Sequence, residues 1–166
     1  VGATDAGLDV GAYHYSYFTT VEVAVQEADY FLSVLEPYRE YITYPVVLDI
    51  EADAQKTVSK AQLTKAARAF CDRVRDAGYY VMIYANVNFM VNYLDYSQLD
   101  DYDLWLAHFN VDKPGYEFHD IWQYTETGTV NGVSGYVDRN YGYKDYHSLL
   151  NDLGLPSDTG YNPPYY

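Results

Sequence analysis

The stretch Tyr44-Pro45-Val46-Val47-Leu48-Asp49-Ile50-Glu51 decides the fold and suggests where the chemistry lies. Its continuous apolar run is typical of a strand that is buried on both faces, as in a parallel sheet. Because side chains alternate along a strand, Asp49 and Glu51 are expected to point the same way, with Cα atoms about 6–7 Å apart. Two carboxylates this close repel each other, and burial raises the pKa of at least one. Such a pair indicates acid–base chemistry, while binding a surface Arg or capping the next loop is the structural alternative.

The segments on either side of this strand alternate between strand and helix patterns. Strands are predicted over 8–17, 45–51, 79–84, 103–109 and 120–124, followed by a hairpin over 128–138 that turns at Asn131-Gly132. Helices are predicted from Thr19 or Thr20 to Pro37, from a Ser59/Gln62 capping box to Gly78, over 87–94 and over 145–153. This order predicts an α/β fold whose parallel sheet becomes irregular late in the chain. Right-handed crossovers would make it part of a barrel.

Composition narrows the function classes. The 166 residues suffice for one domain, and ten Lys and Arg against 24 Asp and Glu argue against a nucleic-acid partner. No apolar stretch approaches the ~20 residues that span a bilayer. The 22 Tyr residues suit sugar rings, although most must be ordinary core and rim side chains. The four His residues lack ligand spacing, so no metal site and no cofactor are expected.

Other polar and aromatic side chains are candidates beside the acid pair. Asp138 follows a late strand and reaches the same rim if the sheet closes; taken alone, it reads as a turn residue or a partner of Arg139. Gln123 sits inside an apolar strand, either as a satisfied core amide or as a site residue. Trp105 is more often core than a platform for sugar, and His14 is expected to be structural.

Six segments together resemble glycoside hydrolase family 25, the Chalaropsis-type lysozymes or N-acetylmuramidases. Each segment is weak evidence alone, but their order along the chain is specific. They are Gly-Ala-Tyr-His-Tyr-Ser-Tyr (11–17), Tyr-Pro-Val-Val-Leu-Asp-Ile-Glu (44–51), Gly-Tyr-Tyr-Val-Met-Ile-Tyr-Ala-Asn (78–86), Leu-Trp-Leu-Ala-His (104–108), Ile-Trp-Gln-Tyr (121–124) and Gly-Val-Ser-Gly-Tyr-Val-Asp-Arg-Asn (132–140).

The resemblance implies a flattened, irregular (β/α) barrel that cleaves peptidoglycan after N-acetylmuramic acid. It implies that Glu51 is the general acid/base and that Asp49 assists, by holding the substrate's N-acetyl group or by steadying charge. Asp138 would line the same rim. It further implies that sugar is contacted by Tyr13, Tyr15, Tyr84, Gln123 and Trp105. Both a substrate-assisted route and a carboxylate nucleophile stay open. The expected place of action is extracellular or at the cell wall.

The chain departs from the family pattern at its start. Family members open with a strand that carries another active-site Asp, then a helix and a second strand, and this sequence enters after them. Roughly fifty residues are missing relative to a full barrel, whose lower size limit is about 200 residues. The sequence therefore predicts an incomplete catalytic domain over 1–155 with a tail over 156–166. It also predicts low or no activity for the chain alone, and self-association through open sheet edges.

Two alternative functions remain at this stage. A cell-wall binding module or impaired enzyme would keep the Tyr-lined groove without turnover. A chitinase-like hydrolase also uses an acid pair at a strand end, but the Trp122-Gln123-Tyr124 and Val137-Asp138-Arg139-Asn140 segments favour the muramidase family.

Overall fold

A single curved sheet organises the protein, whose computed structural model describes residues 1–156 and 159–160. Its strands follow one another in space as they do in sequence, and the first five are parallel while the sixth is antiparallel to the fifth. They are β1 (Ala12–Tyr15), β2 (Val46–Asp49), β3 (Val81–Asn86), β4 (Asp103–Ala107), β5 (Ile121–Gly128) and β6 (Val137–Gly142). In the described part of the chain, β1 and β6 do not pair, so the sheet forms an incomplete barrel. The predicted α/β class and partial barrel are confirmed.

Among the described helices, the first precedes β1, the next three connect consecutive parallel strands, and the last follows β6. They are α1 (Gly2–Asp5), α2 (Val21–Leu35), α3 (Lys60–Asp76), α4 (Val87–Asn92) and α5 (Tyr146–Leu153), with 3-10 helices at Glu36–Tyr41, Asp53–Thr57 and Tyr96–Gln98. Thr20 caps α2 by accepting from the Val23 amide at 3.3 Å, and Ser59 caps α3 by accepting from Gln62 at 3.2 Å. The Gln62 side chain donates to the Thr19 carbonyl at 2.7 Å, so it ties the starts of the two helices together instead of closing the predicted capping box.

The larger core lies between the sheet and the α2–α3 layer. The predicted apolar stripe of α3 is fully buried there, and it meets the outward-facing residues of β2 and β3. The stripe comprises Leu63, Ala66, Ala67, Phe70 and Val74. Because each Å² of apolar surface removed from water contributes about 25 cal/mol, this layer stabilises the packing of the helices on the sheet.

A smaller core on the opposite, concave face is covered by α5. Tyr146 and Leu150 pack there against Val47, Met82 and Ile121. Below them, the Tyr146 hydroxyl donates to Asp103 Oδ2 at 2.8 Å, and Lys144 Nζ lies 2.7 Å from Asp103 and 2.8 Å from Asp120. Asp103 begins β4 and Asp120 precedes β5, so α5 closes the amino-terminal end of the concave face. The carboxyl-terminal ends of the strands stay open.

Several boundaries differ from those predicted. β2 ends at Asp49, so Glu51 lies in the segment after the strand and not within it. The Asn131-Gly132 turn forms, with the Val133 amide donating to the Val130 carbonyl at 3.1 Å, but inside a longer connection between β5 and β6.

Three sequence predictions concern the domain boundary, self-association at the sheet edges, and membrane spans. The division into a 1–155 domain and a tail remains a prediction, because most of the tail lies outside the described residues. Self-association through open sheet edges also remains a prediction. Among the helices that the structure describes, none combines the length and apolarity needed to cross a bilayer.

Candidate active site

The strand register brings four predicted site residues into one row. Tyr15 of β1 is opposite Asp49 of β2, Asp49 is opposite Tyr84 of β3, and Tyr84 is opposite Trp105 of β4. Residues that share a register position in neighbouring strands point to the same face of a sheet. The row therefore crosses the concave face near the carboxyl ends of the parallel strands, which is where α/β barrels carry their active sites.

An open cleft of about 260 Å³ lies over this row. It contains all eight residues that the sequence predicted for the site, together with one that the sequence did not predict. The lining residues are Tyr13, Tyr15, Val47, Asp49, Glu51, Tyr84, Trp105, Gln123 and Asp138. The structure thus gathers the candidates from six strands and the segment after β2. Their individual roles stay predictions.

The two carboxylates of the cleft differ in their surroundings. Asp49 is only 7% exposed, and its Oδ1 is buried without a hydrogen-bond partner among the described residues. Burial, followed by the charge of Glu51, raises the pKa of Asp49 to about 7. Glu51 is half-buried, and burial raises its pKa as well. Because the lining contains no Lys, Arg or His, nothing in it offsets the repulsion between the two acids.

Hydrogen bonds hold the two aromatic side chains Tyr84 and Trp105, which follow Asp49 in the row. The Tyr84 hydroxyl donates to Gln123 Oε1 at 2.8 Å, and Trp105 Nε1 donates to Asn140 Oδ1 at 2.8 Å. The Tyr84 and Trp105 rings meet edge to face with centroids 5.2 Å apart. Burial and the nearby carboxylates raise the pKa of Tyr84, so its hydroxyl keeps its proton as a donor. Gln123 is therefore a buried, satisfied amide whose remaining hydrogen-bonding capacity faces the cleft.

Exposed tyrosines form the side of the cleft along β1. Tyr13 is 67% exposed and Tyr15 is 38% exposed. Tyr17 continues the row, its ring 5.1 Å from that of Tyr15. Flat aromatic faces beside carboxylates suit sugar rings, which present apolar C–H faces and polar edges.

A second cavity of about 390 Å³ continues beneath the cleft, towards α5. Tyr13, Val47 and Trp105 line both spaces, but the deeper one contains no carboxylate. It therefore extends the concave surface without adding acid–base groups. Within the described residues, no cluster of three or more His, Cys, Asp and Glu is placed to hold a metal ion.

Two residues of this region were missed from the sequence. Val47 forms part of the floor, and its place in β2, two residues before Asp49, would have predicted it. Asn140 holds Trp105, and it shares a face of β6 with Asp138 by the same alternation. His14 is structural as expected: Nε2 contacts Glu27 Oε2 at 2.8 Å and the ring stacks on Phe70, on the helix side of the sheet.

Comparison with known proteins assigns the chain and its fold to a family. The sequence profile of glycosyl hydrolases family 25 matches residues 1–133. The chain belongs to this family. The autolytic lysozyme of Clostridium acetobutylicum is 30% identical over 138 residues, which is 82% of this chain and 40% of that protein.

Solved structures of the family share the architecture. The crystal structure of the CTP1L endolysin superposes with a TM-score of 0.75 at 32% identity, over 91% of this chain and 52% of that one. The modular autolysin LytC of Streptococcus pneumoniae, solved with a synthetic peptidoglycan ligand, has a TM-score of 0.72 at 21% identity, over 82% of this chain and 34% of that one. This family 25 chain thus spans about half or less of the length of these relatives.

Proposed function

We propose that this family 25 domain is an N-acetylmuramidase that cleaves the β-1,4 bond between N-acetylmuramic acid and N-acetylglucosamine in peptidoglycan. The observation that carries the proposal is the Asp49–Glu51 pair, raised in pKa and set in a tyrosine-lined cleft at the carboxyl ends of the strands. Family membership supplies the substrate class, since its members include an autolytic lysozyme and an autolysin solved with a peptidoglycan ligand.

Glu51 acts as the general acid/base in this proposal. A general acid must hold its proton near working pH, and burial moves the pKa of Glu51 in that direction. Glu51 is also the more exposed of the two acids, so a glycosidic oxygen in the cleft reaches it more easily. It would protonate the leaving oxygen and later take a proton from water.

Asp49 supports this step from the floor of the cleft. Its buried, unpartnered Oδ1 is a hydrogen-bonding position with no protein partner among the described residues, which suits the N-acetyl group of a bound sugar. A proton retained on Asp49 also reduces the negative charge beside Glu51. Asp138 lies on the opposite rim, while Tyr84 and Gln123 offer polar contacts to sugar hydroxyls. The proposed place of action is the bacterial cell wall.

One observation favours a binding function without turnover. The cleft is open along β1, where Tyr13 remains mostly exposed, and bulk water in an open cleft weakens the electrostatic interactions that stabilise a transition state. A tyrosine-lined surface of this kind would still hold a glycan strand.

The deciding experiment measures hydrolysis and binding on the same purified peptidoglycan. Wild type, Glu51→Gln and the matched exposed control Glu40→Gln are incubated with sacculi, and bound protein is pelleted. New reducing ends are then identified by borohydride reduction and mass spectrometry, with chitin oligosaccharides as a second substrate.

New N-acetylmuramic acid reducing ends from wild type and Glu40→Gln, but not from Glu51→Gln, support the proposal. Wild type that pellets with sacculi and releases no ends supports the binding function. N-acetylglucosamine reducing ends, or cleavage of chitin alone, contradict the muramidase assignment.

A further inference from the structure

The segment that carries both acids is held through its main chain. The Asp49 carbonyl accepts two hydrogen bonds from Ser16, from its amide at 3.0 Å and from its hydroxyl at 2.6 Å. The Ile50 amide donates to the Tyr84 carbonyl at 2.9 Å, and the Ile50 side chain is fully buried in the core beneath the helices. These contacts fix the chain up to Ile50, but Glu51 lies beyond the end of β2, outside the sheet's own hydrogen bonding.

Gln55 completes the attachment on the far side of Glu51. Its side chain has no exposed surface, and Oε1 accepts from the Ala52 amide at 3.0 Å. Its Nε2 donates to Ser16 Oγ at 2.9 Å and to the Ser16 carbonyl at 3.3 Å. One buried amide therefore joins the residue after Glu51 to the Ser16 group that holds Asp49.

Only a side chain with a donor and an acceptor can make this bridge. A Gln amide provides both without charge, whereas a Glu would add a third carboxylate near Asp49 and Glu51. An apolar residue would remove the acceptor of the Ala52 amide and the donor that Ser16 receives from Gln55. Burial also limits the rotamers of Gln55, which makes it a rigid support for its neighbours.

We infer that Gln55 is a positioning residue, which sets the direction of Glu51 relative to Asp49 through Ala52 and Ser16. The expected effect of Gln55 on the rate of hydrolysis rests on the proposed function, whereas its expected effect on the placement of Glu51 does not. The cleft's titratable groups are Asp49, Glu51 and Asp138 with Tyr13, Tyr15 and Tyr84. Of these, the two acids of the held segment would respond most directly when the bridge is lost.

The test compares three variants of the full chain. Gln55→Met removes both ends of the bridge at similar volume. Ser16→Ala removes the hydroxyl that contacts both Gln55 and the Asp49 carbonyl, but it keeps the hydrogen bond from the residue-16 main-chain amide to that carbonyl. It carries the test if Gln55→Met does not fold. Thr64→Val is the matched control, because Thr64 is another buried side chain with two hydrogen bonds, to Lys60 and Asp95, and it does not line the cleft.

Two readouts are measured for each variant. Carboxyl resonances of Asp49 and Glu51 are titrated by NMR, and kcat, KM and the pH dependence of kcat/KM are measured on soluble peptidoglycan fragments. We expect Gln55→Met to lower kcat by about 10–100-fold with KM within about 2-fold, since misplacement of a catalytic group acts on the transition state. The Glu51 titration and the alkaline limb of the profile should move to lower pH, because a loosened Glu51 is better solvated.

Thr64→Val should lose stability without moving either readout. If Gln55→Met and Ser16→Ala behave like Thr64→Val in both readouts, the positioning role is wrong, whatever Glu51→Gln shows. If wild type releases no muramic acid ends yet the titrations move in the bridge variants alone, the positioning role stands and the proposed function fails.

Discussion

Replacing Asp49 by Asn should stabilise the protein, and the gain should grow with pH. Asp49 is 7% exposed, and burial together with Glu51 raises its pKa from 3.8 to about 7. Between these pH values, the folded protein retains a proton that the unfolded chain has released. Stability therefore falls as pH rises through this window, and the full loss is present above pH 7.

The size of the effect follows from that pKa difference. At roughly 1.4 kcal/mol for each pH unit, the gap corresponds to about 4 kcal/mol. The cleft is open to water, which screens part of the penalty, so we expect about 2–4 kcal/mol. For a domain of this size, that is about 5–15 °C in Tm. The repulsion between Asp49 and Glu51 is already part of this pKa difference, so it adds no further term.

Thermal unfolding of wild type and Asp49→Asn from pH 4 to pH 8 measures this difference. The buried Asn amide adds an offset that does not depend on pH, so the slope is the informative quantity. Asp112→Asn, at an exposed carboxylate outside the cleft, controls for the change in net charge. A Tm difference between Asp49→Asn and wild type that stays constant over this range would refute the reasoning from burial.

Three further substitutions test the surroundings of the acid pair. Tyr84→Phe leaves the Gln123 amide oxygen without its partner, so chemical denaturation should show a loss of about 1–3 kcal/mol, and KM for peptidoglycan fragments should rise. Lys144→Met breaks both ion pairs that hold α5 to the sheet and should cost about 1–2 kcal/mol, whereas an equal cost for exposed Lys113→Met would contradict that anchoring role. Asp138→Asn, on the exposed rim, should change stability by less than about 0.5 kcal/mol but lower the hydrolysis rate, and unchanged hydrolysis would remove Asp138 from the site.

The elements of the fold could be predicted because their signals are local. The apolar stripe of α3, the Ser59 and Thr20 caps and the β2 run each depend on a few neighbouring residues. The partner of the Gln62 side chain could not be predicted, because it depends on how two helices approach each other. The end of β2 at Asp49 was also missed, since the strand stops where its neighbour β1 stops pairing, at Tyr15.

The gathering of the site residues was predictable for a different reason. Parallel strands direct their carboxyl ends to one edge of the sheet, so Asp49, Tyr84 and Gln123 were expected at that edge once the sheet was parallel. The hydrogen bonds among them were not predictable. The contact between Tyr84 and Gln123 depends on register and side-chain rotamers that no single segment encodes.

The structure gives Asp49 and Glu51 different surroundings, which alternation along a strand does not predict. If the strand continued through Glu51, alternation would make Asp49 and Glu51 equivalent. The strand ends between them, so Asp49 belongs to the sheet and Glu51 to the segment that follows it. The sheet buries Asp49 and makes its ionisation costly. The segment after it leaves Glu51 closer to solvent, where a proton can be given and regained. Two neighbouring carboxylates thus acquire different proton affinities from their backbone positions, which is the condition for assigning them different roles in one reaction.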